Sequence, residues 1–210
     1  MKLIDISHVL DGDTPIFPGD YQTTLSPYKT IEKDYYNAFL LQSGLHTGTH
    51  IDMPMHLIEH DKTAADFPLD GFCGKGVLLD VRTEASIAMK PIYESQVHEE
   101  DVVLLYTGWD KSYSKPDYFT RHPIVGEALA EFLLSRKIKM LGMDMPAPDA
   151  PPFTFHKDLL RHGIFVLENL TNLDSLTAVE SFTVMAFPLK INAEASLVRA
   201  VCQIGGIACV

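Results

Sequence analysis

The chain has 210 residues, 46% of them apolar and 21% charged. That balance excludes a disordered chain, and the length predicts residues 1–210 as one domain. The formal net charge of −11 excludes nucleic-acid binding by general electrostatics. No stretch approaches the roughly 20 apolar residues of a membrane span, and the opening MKLIDISHVLDGD carries no apolar signal run.

The elements are mostly short strands. Residues 2–6 (KLIDI) form an early or edge strand. Residues 11–20 (DGDTPIFPGD) are turn chemistry with an apolar Ile16–Phe17 pair inside. Residues 36–42 read as a strand leading into Gly44. Apolar runs of strand length follow at 76–81, 102–107, 139–143, 164–167, 183–188 and 200–204. Between them, Pro123 suits a first helical position. After it Val125, Ala128, Leu129, Phe132 and Leu133 make one apolar stripe of a helix. A second helix runs from near Phe155 to Gly163, a residue suited to the position just past a helix end. Residues 109–122 form a polar loop rich in aromatics. Cys73, Cys202 and Cys209 show no CxxC spacing and fit buried thiols in a reducing cytoplasm. The pattern is mixed α/β, with a mixed sheet and few helices.

Nine histidines are present, and four of them, His46, His50, His56 and His60, fall within fifteen residues. Even scatter would put fewer than one there. His46 and His50 are four apart, as in a helical zinc-protease motif. Thr47 stands where that motif needs Glu, however, and Gly48, Thr49 and Pro54 oppose a helix. A bent turn followed by an extended segment fits instead, and there His50 and Asp52 share a face. Two imidazoles and a carboxylate then converge, a ligand mix for Zn²⁺, or for Mn²⁺ when carboxylates and water complete the shell. His60, between Glu59 and Asp61, reads as surface. His8, His98 and His122 read as structural.

The segment HTGTHIDMPMH, residues 46–56, matches the HxGTHxDxPxH signature of the cyclase family of metal-dependent hydrolases. That family includes bacterial kynurenine formamidase and isatin hydrolase. The resemblance extends over nearly the whole chain, through Ile4-Asp5-Ile6-Ser7, Pro15-Ile16-Phe17-Pro18-Gly19-Asp20, Gly142-Met143-Asp144, His156, Leu167-Glu168-Asn169-Leu170 and residues 186–190 (AFPLK). It implies the swivelling β/β/α architecture, assembled as a homodimer or homotetramer. It implies two divalent metal ions, Zn²⁺ first and Mn²⁺ as the alternative. The first would be held by His46, His50 and Asp52, and the second by Asp52, His156 and Glu168. His162 competes with His156, which the resemblance favours for its spacing from Glu168. His56 would carry the catalytic proton, and Phe17 would stack the substrate's aryl ring.

The activity implied is hydrolysis of an amide C–N bond in a small molecule, foremost an aryl formamide such as N-formylkynurenine. Such bonds are stable in neutral water, and a divalent ion brings the pKa of bound water to about 7. Neutral imidazole ligands keep the site positive enough for an oxyanion. Two positions depart from the formamidase pattern: Phe17 stands where Trp is associated with that branch, and Ala147 where Ser is. The alternative is a cyclic amide, opened as in isatin hydrolase. That branch carries Gln at the position of Glu168, so Glu168 favours the formamidase. A third reading is a non-catalytic metal-binding module, which the presence of His56 weakens.

Overall fold

A computed structural model describes residues Met1–Gly205; Cys209 lies outside them. The strands are β1 (Lys2–Asp5), β2 (Thr24–Lys29), β3 (Ala38–Gln42), β4 (His50–Asp52), β5 (Cys73–Asp80), β6 (Ser86–Ile87), β7 (Val102–Tyr106), β8 (Ile124–Val125), β9 (Met140–Met143), β10 (Phe165–Glu168), β11 (Phe182–Met185), β12 (Ala195–Leu197) and β13 (Val201–Ile204). The helices are α1 (Ile31–Asp34), α2 (Tyr93–Gln96), α3 (Glu127–Arg136) and α4 (Thr154–Arg161). Nine strands form one mixed sheet in the order β1-β13-β11-β5-β7-β9-β10-β4-β12. Its middle, β5-β7-β9-β10, is parallel and its flanks are antiparallel.

The parallel strands read as unbroken apolar runs because both of their faces are covered. In β7, Val102, Leu104 and Tyr106 enter one core cluster, while Val103 and Leu105 enter the other. Helices α3 and α4 cover the second face with Leu129, Leu133, Phe155, Leu159 and Leu160. The first face is closed by the sheet itself. Ser7, just past β1, bridges Leu170, just past β10, and Thr171 N–H donates to Ile6 O at 3.0 Å. Ile4 and Cys202 from one end of the strand order therefore share a core with Ile51 from the other. Burial in that core pushes the Cys202 thiol up to about 12, so it is an inert apolar filler.

The helix expected to start at Pro123 begins at Glu127 instead. Val125 belongs to β8, and its N–H donates to Pro148 O at 2.8 Å, while Gly126 N–H donates to Ile87 O at 2.9 Å. Tertiary acceptors have taken the donors that a first helical turn would leave open. The second helix falls within one residue of its expected start, and Gly163 lies just past its end at φ +73°. Among the described residues no helix is long and apolar enough to cross a membrane.

Candidate metal centre and active site

The site forms at the carboxyl ends of the parallel strands, the usual ligand edge of an open α/β sheet. β4 lies between β10 and β12, and its register sets His50 opposite Glu168 and Asp52 opposite Val166. Alternation along β4 sends Ile51 into the first core and turns His50 and Asp52 toward α4. Helix α4 buries Phe155, His156, Leu159 and Leu160 on one side, so His156 faces the same space. Asp149 Oδ2 accepts Phe155 N–H at 2.8 Å and fixes the start of that helix. His46 sits in the turn before β4. Gly48 reverses that turn at φ +61°, a conformation that favours glycine, although the space around its Cβ position is open to 3.7 Å.

Asp52 is fully buried, and its two oxygens face different partners. Oδ1 lies 2.8 Å from His46 Nδ1 and 3.5 Å from His50 Nε2, while Oδ2 lies 3.2 Å from His156 Nε2. Glu168 straddles in the same way: Oε2 is 3.4 Å from His50 Nε2 and Oε1 is 3.7 Å from His156 Nδ1. Two triads result, His46–His50–Asp52 and Asp52–His156–Glu168, each with its ligand atoms within 4.8 Å of one another. His50 Nε2, both Asp52 oxygens, His156 Nε2 and Glu168 Oε1 are buried without a hydrogen-bond partner. Orphaned atoms of this kind are costly unless a cation satisfies them. The donor set of three imidazoles and two carboxylates fits divalent metal ions.

Burial alone would push these imidazoles toward neutrality, but the carboxylates outweigh it. Asp52, with Glu168 and Glu194 behind it, lifts His46 to about 9. His50 and His156 are raised for the same reason. Burial would raise Asp52, yet the surrounding imidazoles hold it well below the carboxylate range. His56 behaves oppositely: burial and the neighbouring His46, His156 and His50 imidazoles bring it down to about 4, against the pull of Asp52. Its ring lies 3.9 Å from His46 and 5.8 Å from His156, centroid to centroid. It belongs to neither ligand triad.

A chain of buried hydrogen bonds stands behind His50. His50 Nδ1 lies 2.8 Å from Gly48 O; a carbonyl only accepts, so Nδ1 carries the proton and Nε2 points at the carboxylates. Gly48 O also accepts Asn169 Nδ2 at 3.0 Å, and Asn169 Oδ1 accepts the Tyr118 hydroxyl at 2.8 Å. Thr49 Oγ1 donates to Asn169 O at 2.6 Å.

Above the triads opens a cavity of about 220 Å³. Phe17, Phe119, Phe153, Leu57, Pro146 and Ala147 line its apolar part, with His56 and Asp20 also on its walls. Phe17 meets Phe119 edge-to-face at 5.7 Å. The expected residues His46, His50, Asp52, His56, His156, Glu168 and Phe17 thus converge on one place. His162 does not: it bonds Asp158 O and lines a separate cavity at the far end of β10. His60 stacks on Phe67, away from the cluster. Of the aromatic loop at 109–122, Phe119 reaches the cavity and Tyr118 reaches Asn169, while Tyr113 stacks on His8. Asp144 accepts Thr107 N–H, Thr107 Oγ1 and Gly108 N–H at 2.6–2.8 Å, bracing the ends of β7 and β9. Sequence reasoning missed Phe153, Glu194 (3.3 Å from His46 Nε2) and the bracing role of Asn169. A lone Glu and an Asn beside a ligand carry no spacing signal.

The family model for cyclases matches residues 4–150. The chain belongs to the cyclase family of metal-dependent hydrolases. Kynurenine formamidase of Geobacillus thermodenitrificans is 31% identical to this cyclase-family chain over 206 residues, covering 94% of this chain and 95% of the relative. Kynurenine formamidase of Bacillus anthracis is 32% identical over 209 residues, covering 95% and 96%. An isatin hydrolase bound to the product analogue thioisatinate has a TM-score of 0.85 at 24% identity, covering 96% of this chain and 91% of that one. At that identity the likeness is one of fold.

Proposed function

We propose that this hydrolase cleaves the C–N bond of an aryl formamide, with N-formylkynurenine as the first substrate to consider. The observation that carries the reading is the pair of triads sharing Asp52, set beneath an aromatic-walled cavity. The near-full-length relatives named kynurenine formamidase support it. Divalent ions, Zn²⁺ by the imidazole share and Mn²⁺ by the carboxylates, would supply a water nucleophile at neutral pH and polarise the formyl carbonyl.

The chain's own residues do the rest. His46, His50 and Asp52 form one ligand group, and Asp52, His156 and Glu168 the other. Gly48 O fixes the proton on His50 Nδ1, so Nε2 is aimed inward. Phe17, Phe119 and Phe153 hold the aryl ring and keep bulk water from the carbonyl. His56 is neutral at pH 7. It takes the proton of the attacking water on a ring nitrogen and returns it to the departing arylamine. The cavity of about 220 Å³ is below the roughly 300 Å³ at which drug-sized sites begin, which favours a small substrate.

A flat bicyclic lactam would meet the same aromatic walls, and the fold neighbour named isatin hydrolase gives that reading its place. Steady-state rates on N-formylkynurenine, formanilide and isatin, with protein loaded with Zn²⁺ or Mn²⁺, separate the two. Release of formate at the highest kcat/KM supports the formamidase. Ring opening of isatin without formamide turnover replaces it with the lactam reading.

A further inference from the structure

The cavity over the triads has a buried floor and an exposed mouth. His50, His156 and Glu168 at the floor are buried, whereas Phe17 is 40% exposed and Asp20 is exposed beside it. Both mouth residues belong to one turn. Asp20 N–H donates to Phe17 O at 3.0 Å, with Pro18 second and Gly19 third at φ +100°, the residue pattern of a type II turn. Such a turn keeps its first and fourth Cα atoms within about 7 Å, so the Phe17 ring and the Asp20 carboxylate start from neighbouring points. Thr14 and Thr23, on either side of the turn, are buried and pin the segment at both ends. Phe17 and Asp20 both line the cavity. Glu168, the other carboxylate on its wall, is tied to the second triad. Among the described residues nothing hydrogen-bonds or ion-pairs with the Asp20 carboxylate.

We infer that Asp20 is a specificity-determining residue, forming with Phe17 a subsite for an aryl ring that carries a short alkylammonium arm. The inference rests on the cavity's being the aryl-formamide site. The formyl group has to reach the floor, where the triads lie, and the ring then fills the space between Phe17, Phe119 and Phe153. A substituent on the ring is left at the mouth, next to a carboxylate that has no partner. A cation there meets an opposite charge and an anion a like one. With divalent ions in the triads the floor is positive, so the cavity has poles of opposite sign. A substrate with a carbonyl oxygen at one end and an ammonium at the other is then drawn in one orientation. The mouth is open to water, which screens the pairing and limits it to about two- to fivefold in affinity.

Calorimetry on Zn²⁺-loaded full chain tests this with two probes. One is kynuramine, an arylamine with a short alkylammonium arm, and the other its isostere with methyl in place of the ammonium. The preference of the wild type for the cation, divided by that of Asp20→Asn, is expected to be about two- to fivefold. It is expected to shrink toward one at about 1 M salt, where the Debye length is about 3 Å. The division removes the hydration difference between the probes and the general pull of a chain of net charge −11. A structural role for Asp20 would weaken both probes together and leave the quotient at one. A quotient of one, or one that salt leaves unchanged, overturns the inference. Formate release from the N-formyl derivatives of both probes reads the hydrolase activity separately. A quotient above one without formate supports the cation subsite and removes the formamidase reading. Formate with a quotient of one overturns the subsite and leaves the formamidase reading standing.

Discussion

Replacing Asn169 with Ala separates the support of the metal centre from the centre itself. Asn169 is 3% exposed and lies on the cavity wall. It accepts the Tyr118 hydroxyl and donates to the carbonyl that orients His50. Truncation strands the Tyr118 hydroxyl, which is fully buried, at about 1–3 kcal/mol, and removes the hydrogen bond from Asn169 Nδ2 to Gly48 O, worth about 1 kcal/mol. The backbone at φ +55° suits Asn better than Ala, adding roughly 1 kcal/mol. Urea unfolding of metal-free protein is expected to show a loss of about 3–5 kcal/mol. Gly48 O keeps its bond to His50 but loses the donor that holds it in place. Metal affinity, measured by chelator competition, is expected to fall about 10- to 100-fold. Tyr118→Phe, which leaves the Asn169–Gly48 bond intact, is expected to lose stability with affinity within about threefold of wild type. An Asn169→Ala protein that is destabilised yet binds metal like the wild type would refute the coupling and reduce Asn169 to a structural brace.

Three further outcomes follow from the same geometry. His56→Ala is expected to keep full metal content by elemental analysis while kcat falls about 10²- to 10⁴-fold; loss of metal would move His56 among the ligands. In metal-free protein His46 is raised from 6.5 to about 9, so it contributes stability that is fully present below pH 6.5 and lost as pH rises through 9. At pH 7 metal binding must expel that proton, so calorimetry in buffers of different ionisation enthalpy should show at least one proton released, and none released would contradict the assignment. Gly142→Ala in β9 would set a Cβ 2.5 Å from Leu104 Cδ2 and 3.1 Å from Leu170 Cδ1. It is expected to cost about 1–3 kcal/mol by overpacking in thermal unfolding, and an unchanged melting curve would show that the core yields there.

Much of the fold was legible because its central strands are buried on both faces, and such strands leave unbroken apolar runs. The expected strands at 76–81, 102–107, 139–143 and 164–167 lie within one to three residues of those in the sheet. β4 reads only as an extended segment, because two of its three residues are the polar ligands themselves. β2 was hidden by Pro27, which argues against a strand unless an edge tolerates it. The start of α3 was misplaced because the acceptors for Val125 and Gly126 come from Pro148 and Ile87, distant in sequence. At the site, histidine density and extended spacing pointed to His46, His50 and Asp52. His156 and Glu168 needed the family resemblance, since nothing local marks them. The link from Tyr118 through Asn169 to Gly48 joins residues up to 121 positions apart, and no one-dimensional pattern records it.

The most direct test of metal-dependent formamide hydrolysis is to titrate metal-free protein with Zn²⁺ while following kynurenine release from N-formylkynurenine. No turnover without metal, a rise to a plateau at two equivalents per chain, and loss of that plateau in His56→Ala would agree with the two triads and the proton carrier. Full turnover by the metal-free protein, or a plateau that His56→Ala leaves untouched, would contradict it.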